Sequence, residues 1–283
     1  MSQRIIVTGA GGQVGRLLAA ESARRGHQVA ALGRQDLDIT DAAAVNRCIA
    51  GGDAVINCAA FTNVDAAESA AEQVHAINVV GPANLARACA NVGARLVHLS
   101  SDYVFAGDLR RPYEIADPTG PLSVYGQSKL DGERAVHAVL PQAHVVRTSW
   151  VFTGGPGGGD FVSAMRDLAA TDRTVDMVAD QTGSPTYAVD LVDALLHLAG
   201  GAVTAPLLHV ANSGWASRFE QARAVFAALG ADPDRVRPVD TATAARPARR
   251  PVFSALGMTE SVRAGLSPLR PWREALESAL APA

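Results

Sequence analysis

The stretch Arg4-Ile5-Ile6-Val7-Thr8-Gly9-Ala10-Gly11-Gly12-Gln13-Val14-Gly15 decides how the rest of the chain is read. Four β-branched residues after Arg4 predict a short strand, and Val14–Arg25 carries a helical pattern. Between them, glycines at 9, 12 and 15 have the G-x-x-G-x-x-G spacing. Each removes a Cβ: for a tight turn, for close backbone approach to an anion, and for packing of helix on sheet. The helix start that follows offers free N–H groups and a partial positive charge. Strand, loop and helix in this order predict that Gly9, Gly12, Gln13, Val14 and Gly15 cradle the pyrophosphate of a dinucleotide.

The alternation continues outward. Gln28–Leu32, Ala54–Cys58, Arg95–Leu99 and His144–Ser149 read as strands. Asp41–Ala50, Ala66–Val92 and Ser123–Leu140 read as helices, the second with a break near Gly81-Pro82. Five-residue strands joined by longer helices imply an α/β fold: a doubly wound, parallel Rossmann sheet with right-handed crossovers and ligands at the strand C-termini. After residue 150 the rhythm changes. A glycine-rich loop, Gly154-Gly155-Pro156-Gly157-Gly158-Gly159, precedes a helix at Phe161–Ala170 and then shorter elements. Turns are expected at Gly183-Ser184-Pro185, Asn212-Ser213-Gly214 and Ser267-Pro268, with an irregular stretch from Arg246 to Pro251. The expected division is a dinucleotide-binding domain over residues 1–149 and a smaller C-terminal substrate lobe over 150–283. Segments of that lobe are expected to return to the sheet.

The 283 residues are 48% hydrophobic with a formal net charge of −3, enough for a sizeable core. They lack the basic surplus of a nucleic-acid or polybasic membrane binder. No run approaches the ~18 apolar residues of a membrane span, and the segment at Arg4 reads as a strand rather than a secretory leader. Cys48, Cys58 and Cys89 are odd in number and far apart among small apolar residues. They read as buried thiols of a reducing compartment, without metal-ligand spacing. A soluble, cytoplasmic protein is expected.

Three further features carry chemistry. The second strand ends in Gly33-Arg34-Gln35, where an acid would hold a ribose 2′-hydroxyl. The cation at Arg34 favours a 2′-phosphate, hence NADP, while Asp36 and Asp38 keep NAD open. Next, all but one of the 25 basic residues are arginines. The single lysine, Lys129, follows Tyr125 by four places, so the two share one helical face. An ammonium there is expected to lower the phenol pKa from ~10 toward neutrality and ready it for proton transfer to a substrate oxygen. Finally, Ser100-Ser101-Asp102-Tyr103 follows the strand Arg95–Leu99; a hydroxyl there could bond the reacting carbonyl, or serve only turn chemistry.

With these motifs in this order the chain resembles the extended short-chain dehydrogenase/reductase superfamily and, within it, the dTDP-4-dehydrorhamnose reductase family. The likeness runs through Gly12–Gly15, Leu37–Asp41, Asn57–Asp65, Ser101–Phe105, Val124–Lys129, Arg147–Val151, Asp180–Thr186, Arg249–Pro251 and Pro271–Arg273. It implies NADPH-dependent reduction of the C4 ketone of a dTDP-4-keto-6-deoxyhexose in rhamnose synthesis, with NADH open as a cofactor. It implies Tyr125 as proton donor, Lys129 as its electrostatic partner, and Ser101 in the place of the usual threonine. Asp102 and Trp150, with Ser101 and Tyr125, would contact the sugar nucleotide. Asp38, Ile39, Ala60, Phe61 and Thr62, with Tyr125 and Lys129, would line the cofactor. Asn78 would be a supporting asparagine, unless it is a helix-surface or capping residue.

Three departures stand out. Serine at 101 keeps the hydroxyl but loses the methyl that fixes its rotamer. Phe61 replaces a position commonly Tyr or His. Arg16-Leu17-Leu18 lacks the carboxylate through which some members bridge a dimer with magnesium. No metal is expected, and the oligomeric state stays open, including a homodimer without that bridge. Two other functions also stay open. One is a nucleotide-sugar dehydratase or epimerase, although Tyr103 stands where dehydratases carry a glutamate. The other is a non-catalytic, NADP-binding regulatory subunit like the methionine adenosyltransferase beta subunit.

Overall fold

In the computed structural model, which describes residues 3–244 and 246–281, six strands lie side by side with every pairing parallel. The elements of the first half are β1 (Arg4–Thr8), α1 (Gln13–Arg24), β2 (Gln28–Leu32), α2 (Ala42–Cys48), β3 (Ala54–Asn57), α3 (Val64–Ala67), α4 (Ala71–His75), α5 (Gly81–Val92), β4 (Arg95–Ser101), α6 (Val124–Val139) and β5 (His144–Thr148). Then come β6 (Val151–Phe152), α7 (Phe161–Ala169), β7 (Val175–Val178), β8 (Thr182–Gly183), β9 (Thr186–Tyr187), α8 (Ala188–Ala199), β10 (Leu207–His209), β11 (Ala216–Ser217), α9 (Arg218–Ala228), β12 (Val236–Val239), α10 (Thr259–Arg263) and α11 (Trp272–Leu280).

The sheet order is β10-β5-β4-β3-β1-β2. Because β2 and β3 lie on opposite sides of β1, the winding reverses there and opens a crevice at the strand C-termini. The doubly wound α/β arrangement follows from two-sided burial of β1. Ile5 and Val7 pack with Leu18 of α1 and Leu191 and Leu195 of α8. Ile6 faces the other way, against Val45 of α2 and Leu85 and Cys89 of α5. Chain from the second half therefore completes the first: α8 covers the α1 face and β10 extends the sheet beyond β5. A separate core of Phe152, Val162, Met165, Phe226, Trp272 and Leu276 holds the smaller lobe. Among the described residues no helix is long and apolar enough to cross a membrane.

Local chemistry sets the boundaries. Asp41 caps α2 by accepting from Ala43 N and Ala44 N, and Ser123 caps α6 by accepting from Gly126 N. The expected break at Gly81-Pro82 does not occur. Helical structure runs through it as a π turn over Ala76–Val80, in which the Gly81 N–H reaches back to the Ala76 carbonyl. Pro82 lacks the N–H that would bond the carbonyl of Asn78 in an α-helix, and the widened turn accommodates that loss. The interruption falls instead between α3 and α4. β4 also runs two residues further than expected, so Ser100 and Ser101 end the strand itself. Of the three cysteines only Cys89 is buried; Cys48 and Cys58 are partly exposed, Cys58 because it borders the crevice.

Helix α6 lies unusually close to neighbouring backbone. A Cβ at Gly126 would strike the Tyr103 carbonyl, and one at Gly132 would strike the Asn78 carbonyl. We therefore expect Gly132→Ala to lower unfolding stability by about 1–3 kcal/mol. Gly155→Ala, where nothing lies within 4 Å, should stay within about 0.5 kcal/mol of the parent in urea titrations.

Candidate active site

The strand C-termini and the start of α1 enclose a cleft of about 700 Å³. Its floor at one end is the glycine loop. Gly9 adopts φ +69°, a left-handed conformation, and a Cβ there would lie 2.6 Å from the Ala59 nitrogen. A Cβ at Gly15 would strike the Gly9 carbonyl, whereas Gly11 faces open space. The loop is closed by Gly12 N–H donating to the Gly9 carbonyl at 3.0 Å. Gly12 begins α1 with no side-chain cap and no acid in the first turn. The leading N–H groups thus have no side-chain competitor, and the cradle fits a pyrophosphate. Gln13 reaches across to the Gly158 carbonyl and, at 3.3 Å, to Asp160, drawing the glycine-rich loop over this end.

At the other end stand the residues of α6 and β4. Tyr125 and Lys129 lie one turn apart and both line the cleft with Ser101. Burial pushes the Tyr125 pKa up, the neighbouring Ser101 hydroxyl opposes the rise and the Asp102 carboxylate adds to it. This corrects the expectation of a phenol acidified by Lys129. The lysine is 2% exposed and donates to the Leu99 carbonyl at 2.6 Å. Its own pKa is brought down to about 8 by burial.

Asn78, carried on the π turn, is fully buried. It accepts from Phe61 N at 2.8 Å and donates to the Phe61 carbonyl at 3.1 Å. It also donates to Ser128 Oγ at 2.9 Å, and that hydroxyl donates to the Tyr125 carbonyl at 2.7 Å. It is a brace between the loop after β3 and the turn that presents the tyrosine, neither a surface nor a capping residue.

Asp102 is buried among three hydroxyl donors: Ser101 at 3.1 Å, Ser149 at 3.0 Å and Ser254 at 2.6 Å. Burial raises its pKa to about 6 despite those bonds. Tyr103 sets its ring edge-on to Tyr125, centroids 5.9 Å apart, and contacts Arg250, which pairs with Asp65 at 2.8 Å. Trp150 has φ +48°, the single positive value among described non-glycine residues. Its ring lies against Gly183, where a Cβ would sit 2.6 Å from the indole nitrogen. The Arg218 guanidinium stacks 3.5 Å from that ring's centroid and 4.7 Å from Phe161.

The cleft brings together Gly9, Gly12, Gln13, Val14, Gly15, Ala60, Thr62, Ser101, Asp102, Tyr125, Lys129 and Trp150. It does not include four residues expected at the cofactor. Arg34 and Asp38 are exposed beyond β2, with Arg34 helping to hold the Asp38 carboxyl low after the Thr40 hydrogen bonds. Ile39 is buried, packed where a Cβ on Gly81 would strike it. Phe61 is only partly buried, its backbone bracketed by Asn78. Among the lining residues that the sequence reading did not single out is Arg218, first in α9, its pKa brought down to about 10 by burial and without a salt bridge among the described residues. Ser217-Arg218-Phe219-Glu220 carries the capping-box signature that places this helix start.

The sequence matches the family model of the RmlD substrate binding domain over residues 3–283. It is 57% identical over 282 residues to a dTDP-4-dehydrorhamnose reductase of Mycolicibacterium smegmatis, covering 99% of this chain and 86% of that one. It is 57% identical over 284 residues to a dTDP-4-dehydrorhamnose reductase of Mycobacterium tuberculosis, covering 99% and 93%. The fold superposes with a TM-score of 0.93 on the crystal structure of a Bacillus anthracis dTDP-4-dehydrorhamnose reductase in complex with NADP, at 35% identity and 98% coverage of each chain.

The pKa of Asp102 fixes a pH signature. A carboxyl that titrates at about 6 in the fold, against 3.8 for an ordinary aspartate, binds more protons folded than unfolded between those values. Its stabilising neutral form is therefore present near pH 4 and lost as pH rises through 6. Asp102→Asn, permanently neutral, should gain stability over the parent in urea unfolding from about pH 4 to 7. A gap that does not change with pH would refute this account.

Proposed function

The chain belongs to the RmlD substrate-binding-domain family, and from that premise we propose an NADPH-dependent reductase of the C4 ketone of a dTDP-4-keto-6-deoxyhexose, converting dTDP-4-dehydro-L-rhamnose to dTDP-L-rhamnose. The observation that carries this reading is the convergence of the uncapped glycine cradle, the Tyr125–Lys129 turn and Ser101 on one cleft. In this reading residues 1–149 hold the cofactor and most of residues 150–283 hold the sugar nucleotide, with α8 and β10 returned to the sheet. It is a cytoplasmic enzyme without a bridging metal, since Arg16, Leu17 and Leu18 offer no carboxylate.

Gly9, Gly12, Gln13, Val14 and Gly15 would hold the cofactor's pyrophosphate, and Ala60 and Thr62 its middle portion. Arg34 would meet a 2′-phosphate at the outer rim. When bound, NADPH supplies the hydride that reduces the ketone carbon. Ser101 orients the ketone oxygen, and Tyr125 delivers the proton to that oxygen as negative charge develops. The raised phenol pKa suits this direction: burial keeps the proton on Tyr125 until a stronger base appears. The Lys129 ammonium then stabilises the phenolate left behind. Asp102 and Trp150 bound the sugar, and the Arg218 guanidinium, which has no salt bridge among the described residues, meets the diphosphate of the nucleotide.

The reading is tested by NADPH consumption with synthesised dTDP-4-keto-L-rhamnose and by NMR of the product's C4 configuration. Tyr125→Phe should lower turnover about 10²–10⁴-fold while leaving cofactor binding nearly unchanged; retention of most activity would overturn the assignment. Arg218→Met should raise the KM for the sugar nucleotide about 10–100-fold with little change in kcat, as loss of charge-assisted hydrogen bonds predicts.

A further inference from the structure

The buried face of α6 continues past Tyr125 and Lys129 at the same four-residue spacing to Glu133, 4% exposed. No role given to the cleft uses this acid. Its Oε1 accepts from Ser100 Oγ at 2.5 Å and from Arg147 Nε at 2.9 Å, and its Oε2 accepts from Arg147 Nη2 at 2.7 Å. One carboxylate thus joins α6 to the ends of β4 and β5. Lys129, in contrast, has a carbonyl partner but no carboxylate within salt-bridge distance among the described residues. A buried ammonium with only a neutral partner is costly to maintain.

The groups acting on Lys129 come from three elements. Cys58 follows β3, and His98 of β4 is a buried imidazole held neutral by burial first and by the lysine second. Glu133 is the acid that favours the charged lysine. Arg147 of β5 is occupied by Glu133 and by the Phe105 ring, 5.0 Å from its guanidinium carbon.

We propose that Glu133 is a positioning residue for the reduction: fixed by Ser100 and Arg147, it is the counter-charge that keeps Lys129 an ammonium one turn from the phenol. Without the carboxylate, desolvation governs and the lysine sheds its proton near neutral pH. A neutral amine cannot stabilise the phenolate that proton donation by Tyr125 leaves. This inference rests on the role given to Lys129 above, but its decisive measurement needs neither substrate nor cofactor.

Because Lys129 is the chain's single lysine, protein grown with lysine carrying 13C at Cε yields one side-chain resonance whose shift follows protonation. The parent midpoint is expected at about 8. Glu133→Gln with Arg147→Met removes the pair without leaving a buried charge alone, and Glu133→Gln by itself serves if the double variant does not fold. In whichever folded variant is titrated, the midpoint should drop by about one unit. The ammonium fraction at about pH 7.5, and kcat with it, should then fall about threefold, with the KM for NADPH unchanged. An unshifted lysine midpoint would overturn the proposal even if stability is lost, because an ion pair that only cements helix to sheet moves the unfolding transition and not the titration. A shifted midpoint with no reductase activity in the parent would leave the electrostatic role standing and count against the proposed function instead.

Discussion

Helix α6 can carry the chemistry only because two of its residues have no side chain. At Gly126 and Gly132 it touches the carbonyls of Tyr103 and Asn78, closer than any Cβ allows. Those contacts fix the helix in rotation and in height over the end of β4. Lys129 can then reach the Leu99 carbonyl, and Ser128 can engage Asn78. The π turn belongs to the same arrangement. Pro82 leaves the Asn78 carbonyl without its usual α-helical donor, and the widened turn presents the Asn78 side chain to both Phe61 and Ser128.

Burial then decides the electrostatics. A phenol, an ammonium and the Asp102 carboxyl are collected where water is scarce, and burial drives each toward its neutral form. Tyr125 keeps its proton, which suits a donor. Asp102 is eased toward neutrality with three hydroxyls around it, whereas Glu133 meets a guanidinium through two hydrogen bonds. The two carboxyl groups thus differ in their partners, three hydroxyls for Asp102 and a guanidinium for Glu133.

Much of this was legible in the sequence. The parallel doubly wound sheet followed from short apolar runs alternating with longer helical patterns. The glycine triplet between strand and helix located the anion cradle. The lone lysine four places after Tyr125 marked the helix face on the cleft. What stayed hidden depended on tertiary approach. Gly81-Pro82 reads locally as a breaker, and the helix continues because a π turn over Ala76–Val80 absorbs the missing Pro82 N–H. The pKa direction at Tyr125 reverses because desolvation is a property of the folded cleft and not of i, i+4 spacing. Arg218 lies in a stretch whose capping chemistry announces a helix start and nothing more. Arg34, Asp38, Ile39 and Phe61 are not among the residues lining the cleft, Arg34 and Asp38 being exposed beyond β2 and Ile39 packed under Gly81.

The position of β10 bears on how the protein is made. The sheet edge at β5 has no neighbour until residues 207–209 pair with it, and the α1 face has no cover until α8 arrives. On the ribosome, a chain that has already completed its glycine cradle and catalytic helix must wait for some sixty more residues with that strand edge unpaired. An unpaired edge flanked by apolar surface is a template for association between chains. Only when β10 pairs with β5 is that edge of the sheet closed to such association.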